Sequence, residues 1–312
     1  MTHNFEFAHW IARLRAPLFA ALILILASCN SADSFTPDSD IPAVEPATPV
    51  DAAPSFSSAY AGGIPMGLFQ TPYSEIGSRY NGTLRSIYPG NLISELKAIR
   101  DRGGKVVLNL AGSSNRYTDR YGNFSLSMWK NSIDRYRGVN FSSFITDGTI
   151  VGNFLVDEPN DASNWKNHKP ISPSTLEEMA KYSKSRWSNL TTLVRVRPDY
   201  LLNTHRYLDA AWSQYHSKFG SPSTFISHDV SVAKNKGLGL MIGMNLLHGN
   251  NGSKMTASQV KSWGGALLNN SYPCGFISWT YNSNYLSTSS MKDAMNYLRN
   301  KAQSRSFKSC RG

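Results

Sequence analysis

From residue 61 onward, short and continuously apolar runs alternate with longer stretches in which apolar residues return every three or four positions. The short runs predict strands at 64–69, 105–111, 150–157, 191–196, 207–212, 238–245 and 275–280, and GTLRSI at 82–87 supplies an eighth. The longer stretches predict helices at 91–102, 126–137, 174–188, 223–236, 256–268 and 289–302. Several carry start and stop chemistry. Asn91 precedes a face made of Leu92, Leu96 and Ile99, and Gly103-Gly104 ends it. Ser174-Thr175 followed by Glu177-Glu178 has the spacing of a capping box. Lys236-Gly237 closes another helix just ahead of an apolar run.

Strands without polar alternation are buried on both faces, and strand–helix alternation then means a parallel sheet covered by helices. A segment of 252 residues, 61–312, matches the roughly 250 residues of a (β/α)8 barrel. An open doubly wound sheet is the alternative, but it calls for a glycine-rich turn after the first strand, and QTPYSEIG follows Phe69 instead. The expected fold is an α/β chain with a single (β/α)8 TIM-type barrel behind a disordered N-terminal tether.

The tether is the stretch 29–60, where Pro37, Pro42, Pro46, Pro49 and Pro54 alternate with Ser, Ala and Asp. Ahead of it, Arg13 and Arg15 precede an uncharged run, PLFAALILILAS. As a helix those 12 residues rise about 18 Å, short of a hydrocarbon core of roughly 30 Å. The order of charge and apolar run is that of a signal peptide over 1–28. Its end, Leu26-Ala27-Ser28-Cys29, resembles the bacterial lipobox, which implies cleavage before Cys29, lipidation of its thiol and a membrane anchor. Asn30 stands where that resemblance would put Asp for inner-membrane retention, so outer-membrane attachment is expected. An ordinary signal peptide with a coincidental cysteine is the other reading. With Cys29 consumed, Cys274 and Cys310 remain, and an oxidising compartment favours a disulfide between them over two free thiols.

Composition narrows the function classes. The chain of 312 residues is 41% hydrophobic and only 17% charged, enough for a large core and too little apolar sequence for a polytopic membrane protein. Its net charge of +11 is unevenly spread, because the tether holds five acids and no Lys or Arg. The barrel segment therefore has 30 basic and 15 acidic residues, a net +15. Such a body attracts polyanions. Anionic glycans or a membrane surface suit an exported protein; no nucleic-acid motif is present, and no nucleic-acid partner is expected. Zinc-protease, serine-hydrolase and P-loop motifs are missing, the seven histidines are scattered, and no cofactor or metal is expected. His228-Asp229 reads as exposed helix polarity.

In a barrel the chemistry sits where strands end. Those ends supply Gln70, Asn109, Asp157-Glu158, Arg195 and Arg197, Asp209 to Trp212, Asn245, Trp279 and Tyr281, a polar and aromatic set suited to sugars. In FLVDEPN, Pro159 stops the strand and leaves two adjacent carboxylates at its end. This element resembles the (β/α)8 glycoside hydrolases that carry Asn-Glu-Pro at the end of their fourth strand. The resemblance implies that Glu158 is the general acid/base, that residue 157 contacts a sugar hydroxyl and that Trp279 faces the substrate. Two departures stand out. Asp157 replaces the Asn, and the seventh strand ends in Met244-Asn245, where those enzymes carry a nucleophilic Glu. A second carboxylate would then come from Asp157 itself or from Asp209, with roughly 5–5.5 Å between carboxyl groups for retention and 6.5–9.5 Å for inversion. Adjacent like charges at Asp157 and Glu158 would favour one protonated member. Arg195 and Arg197 alternate with Val194 and Val196, so both are expected to face the mouth, binding a ligand anion or fixing the carboxylates. Trp212, Trp279 and Tyr281 are candidate sugar platforms or ordinary core, with Asn109 and Asn245 as further candidate contacts. Three readings remain: a glycosidase, a non-catalytic carbohydrate-binding barrel that lacks the nucleophile, and a structural envelope protein whose barrel mouth binds nothing.

Overall fold

The computed structural model describes residues 63–311. The signal peptide, Cys29 and the tether lie outside the described residues. Eight parallel strands, β1 (Met66–Phe69), β2 (Gly82–Arg85), β3 (Lys105–Leu108), β4 (Ile150–Asp157), β5 (Thr192–Arg195), β6 (Ala210–Tyr215), β7 (Gly239–Met244) and β8 (Gly275–Ser278), pair in sequence order. Pairing of β8 with β1 closes the barrel. The helices are α1 (Leu92–Asp101), α2 (Leu126–Asp134), α3 (Ser142–Thr146), α4 (Pro173–Arg186), α5 (Pro222–Asn235), α6 (Ala257–Leu268), α7 (Ser283–Leu286) and α8 (Ser289–Gln303). Among the described residues no helix is long and apolar enough to cross a membrane.

Burial on both faces explains the uniformly apolar strands. One face of each packs outward on the helices, where Leu92, Leu96 and Ile99 of α1 meet Val106 and Leu108 of β3 in one large cluster. The other face fills the lumen with Phe69, Leu84, Phe154, Leu193, Trp212 and Ile277. The barrel is thus a packed core, open to solvent chemistry only at its ends.

Two crossovers lack a full helix. Between β1 and β2 a single 3-10 turn at Tyr73–Glu75 suffices. Between β5 and β6 another such turn, Pro198–Tyr200, leads into a long loop. This loop accounts for the one strand that departs from the expected register. The sixth run was expected at 207–212, and the observed strand is Ala210–Tyr215. Glu177 of α4 accepts backbone hydrogen bonds from Arg206 and Tyr207, both at 2.7 Å, and from Leu208 at 3.2 Å, so these residues are held on the helix layer and off the sheet. Glu177 is consequently unavailable for the expected capping box. The cap of α4 is Ser172, accepting from the Thr175 amide, with Pro173 in the first turn.

The end of the barrel at which the strands begin is closed by the C-terminal tail. Cys310 is disulfide-bonded to Cys274, just ahead of β8, and both are buried. A Cβ on Gly239 would lie 2.3 Å from the Cys310 carbonyl oxygen, so the first residue of β7 must be glycine for the tail to lie this close. The bond closes a loop across a sequence separation of 36. Replacing Cys310 with Ser is expected to lower unfolding free energy by about 3–4 kcal/mol. Urea titration should show that loss in the variant and in the reduced wild type alike, and an unchanged midpoint would refute the stabilising role.

Candidate functional site

The site lies where β4 and β5 end. Asp157 pairs with Arg195 across the two strands, and the register shifts between Phe154 and Asp157. Such an irregularity turns a side chain out of the regular alternation. The Glu158 amide still donates to the Arg195 carbonyl, at 3.1 Å, before Pro159 ends the strand. Glu158 itself has φ +38°, a left-handed conformation that a residue with a Cβ rarely adopts. Its carbonyl accepts from the Asp161 amide at 2.9 Å, and this turn holds the unusual backbone in place.

Arg195 is the centre of the cluster. Its side chain is only 7% exposed, while those of Asp157 and Glu158 are 39% and 53% exposed. The guanidinium is bonded to Asp157 through Nε and stands 3.5 Å from Glu158 through Nη2. Beneath it lie the rings of Trp279 and Phe69, with centroids at 5.5 and 5.8 Å. Burial opposes the charge on Arg195, but the bond to Asp157 and the two carboxylate charges outweigh it and hold the group above its ordinary range. The expected like-charge pair is therefore a three-charge cluster, one buried cation under two reachable anions.

Phe69 and Trp279 meet edge to face at 5.2 Å. The Trp279–Thr280 peptide is cis, and Thr280 Oγ1 donates to the Phe69 carbonyl. Trp279 is partly exposed beside Arg195, as a sugar-facing ring requires, and Tyr281 follows it with its amide bonded to the same Phe69 carbonyl. Tyr117 is buried near Asp157. Burial, and secondarily the Asp157 charge, push its hydroxyl above the usual range.

Three of the expected site residues take other places. Asp209 precedes β6 and so stands at the opposite end of the barrel from Glu158. There it pairs with Lys184 at 2.7 Å and accepts from the Thr192 amide at 2.8 Å. Trp212, moved to mid-strand by the register of β6, is completely buried in the lumen, where its indole donates to the Ile277 carbonyl. Arg197 does not share a face with Arg195, because the Val196 amide bonds back to the Val194 carbonyl and breaks the alternation. Its guanidinium turns outward to Asp229 of α5, with Nη2 to Oδ1 at 2.6 Å. Asp229 is thereby fully buried, contrary to the expected exposed His228-Asp229 pair, while His228 contacts Asp199 at 2.9 Å. The oxygen and nitrogen atoms of Asp199, His228 and Asp229 lie within 4.8 Å of one another, yet Arg197 already supplies their positive charge.

Asn109 and Asn245 do sit at strand ends, but their side chains close loops. Asn109 exchanges hydrogen bonds with both backbone groups of Gly112, and Asn245 accepts from the His248 amide. Gln214, which no sequence motif marks, donates from its amide to the Ile277 carbonyl at 2.8 Å and accepts through its oxygen from the Trp279 amide. It braces the tryptophan, and only the true frame of β6 exposes it as a strand-end residue. Among the other carboxylates, Glu75, Glu95, Asp134, Asp147 and Glu178 are engaged with basic side chains elsewhere. Asp157 is the carboxylate that shares Arg195 with Glu158.

No protein-family model matches the sequence, and no curated protein does. The fold is similar to that of solved structures. A β-glucanase from Saccharophagus degradans superposes with TM-score 0.55 at 9% identity over 78% of this chain and 88% of that one. An endocellulase from the archaeon Pyrococcus horikoshii gives 0.52 at 14% identity over 77% and 92%. A GH18 chitinase from Pseudoalteromonas aurantia gives 0.51 at 12% over 76% and 99%.

The placement of Asp209 is directly testable. Asp209→Asn should cost about 1–3 kcal/mol of stability through its lost charged hydrogen bonds. Its affinity for any glycan bound at the mouth, measured in parallel by calorimetry, should match wild type; a stable variant that has lost binding would overturn the placement.

Proposed function

We propose that the mouth of this barrel binds and cleaves a glycan, with Glu158 as general acid/base and Asp157 as its partner. The observation that carries this reading is the cluster itself: two accessible carboxylates seated on a buried arginine beside a partly exposed tryptophan. Arg195 grips Asp157 more closely than Glu158, so Asp157 is the fixed carboxylate. Glu158, held more loosely and half exposed, is the one free to meet a glycosidic oxygen. Trp279 offers its face to the C–H side of a pyranose. Proteins of like architecture include a chitinase, a β-glucanase and an endocellulase, which supports carbohydrate as the ligand class by analogy of fold.

A second reading is favoured by one specific feature. The seventh strand ends at Met244, with Asn245 next, and provides no carboxylate opposite Glu158. A barrel that holds a glycan without cutting it needs only the aromatic and charged contacts. In either case the reading is of an exported protein anchored through a lipid on Cys29, and the Cys274–Cys310 bond supports an oxidising compartment.

Both readings are tested by screening the full-length protein and Glu158→Gln against neutral and acidic polysaccharides and peptidoglycan. Cleavage should fall by about 10²–10⁴-fold in the variant, and the anomer of the first product, read by NMR, assigns retention or inversion. Cleavage unaffected by the substitution would remove Glu158 from the chemistry. Saturable binding without any cleavage would establish the binding barrel.

A further inference from the structure

A recess of about 460 Å³ opens between the β2–α1 and β3–α2 loops, and none of the residues of the carboxylate cluster lines it. Its walls include Ser86 and Tyr88 from the first loop, Gly112, Ser113 and Arg116 from the second, and Arg135 just after α2. Two arginines converge in it. A methyl group built on Gly112 would lie 3.2 Å from Arg116 Nε and 3.8 Å from Arg135 Nη2. Gly112 has φ +78°, so a side chain is disfavoured there on two counts and the corner stays open to both arginines.

Arg135 is fixed by donating from Nε to the Ser132 carbonyl at 3.0 Å and from Nη2 to the Leu110 carbonyl at 3.2 Å. Those bonds leave its Nη1 donors unspent among the described residues. The Arg116 guanidinium lies 5.7 Å from the centroid of the Tyr88 ring and makes no ion pair among the described residues. The neighbouring carboxylate, Asp134, is committed to Arg186 and Tyr182 on α4. Two confined positive charges thus lack a protein counter-charge, and Tyr88, 65% exposed, presents an open ring beside them. A recess with two converging cations and an aromatic face has the chemistry for an anionic group carried on a sugar ring.

We infer that this recess binds an acidic sugar residue, its carboxylate taken by Arg116 and Arg135 and its ring laid against Tyr88. The inference rests on the glycan reading above and names the substrate class. The loop that lines the recess continues directly into Tyr117, which lies within reach of the Asp157 charge. A glycan in the mouth and a sugar in the recess would therefore share one loop, and the recess selects chains that carry uronate residues.

The test is calorimetric titration of the full-length protein with tetragalacturonate, with cellotetraose and inorganic sulfate as comparison probes. Wild type, Arg116→Ala, Arg116→Gln, Asp209→Asn and Glu158→Gln are compared, and each melting temperature is checked, since among the described residues the Arg116 side chain donates no hydrogen bond whose loss would unfold the loop. Tetragalacturonate should bind saturably, weaken roughly tenfold or more in both Arg116 variants and keep its affinity in Asp209→Asn, at the opposite end of the barrel. Cellotetraose should be indifferent to Arg116. Equal tetragalacturonate affinity in wild type and Arg116→Ala, or no saturable binding, overturns the inference. Sulfate binding as tight as tetragalacturonate, with the same dependence on Arg116, also overturns it by reducing the recess to a bare anion site. Neutral-glycan cleavage lost only in Glu158→Gln, together with tetragalacturonate affinity that does not depend on Arg116, would keep the proposed function and discard the recess. Arg116-dependent tetragalacturonate binding without turnover would keep the recess and discard the enzyme.

Discussion

The hydrogen bonds between β8 and β1 are the constraint on which everything else rests. Eight parallel strands joined edge to edge leave no free edge, and they bring the C-terminal end of every strand to the same end of the barrel. Residues 210 positions apart become neighbours in this way. Phe69 at the end of the first strand and Trp279 after the last form one aromatic floor. At the other end the same closure leaves an opening, which the disulfide-bonded tail covers.

On that floor sits a buried cation. An arginine shielded from water is costly unless matched, and removing its partners would leave an uncompensated charge. Asp157 and Glu158 supply the match, and in doing so they are held at the surface with their oxygens still open to a ligand. The groups that neutralise the buried charge are therefore the same ones to which the proposed chemistry is assigned. The two loops after β2 and β3 extend the polar end of the barrel into a basic recess, so the molecule presents negative charge at its mouth and positive charge beside it.

Much of this was legible in the chain. Continuous apolar runs located the strands because a barrel strand is buried on both faces, and β4 ends at the residue that Pro159 dictates. The acidic pair at that end followed from the same proline. The frame of β6 was not legible, since its displacement comes from Glu177, a residue on α4 about 30 positions earlier that captures three backbone amides. Periodicity in 207–212 contains no trace of that contact. The divergence of Arg195 and Arg197 was equally hidden, because one backward hydrogen bond at Val196 undid an alternation that the residue types obey.

The sequence by itself determined the barrel, the order of its strands and the presence of Asp157 and Glu158 at one strand end, because these follow from local burial patterns and from proline. Only the tertiary structure decided which of the remaining polar residues share that end. Arg195 came to the carboxylates, whereas Arg197 went to Asp229, Asp209 to Lys184 and Trp212 into the lumen. The physical reason is that a charged or aromatic side chain goes where the folded surroundings offer a counter-charge or a cavity, and those partners lie far away along the chain.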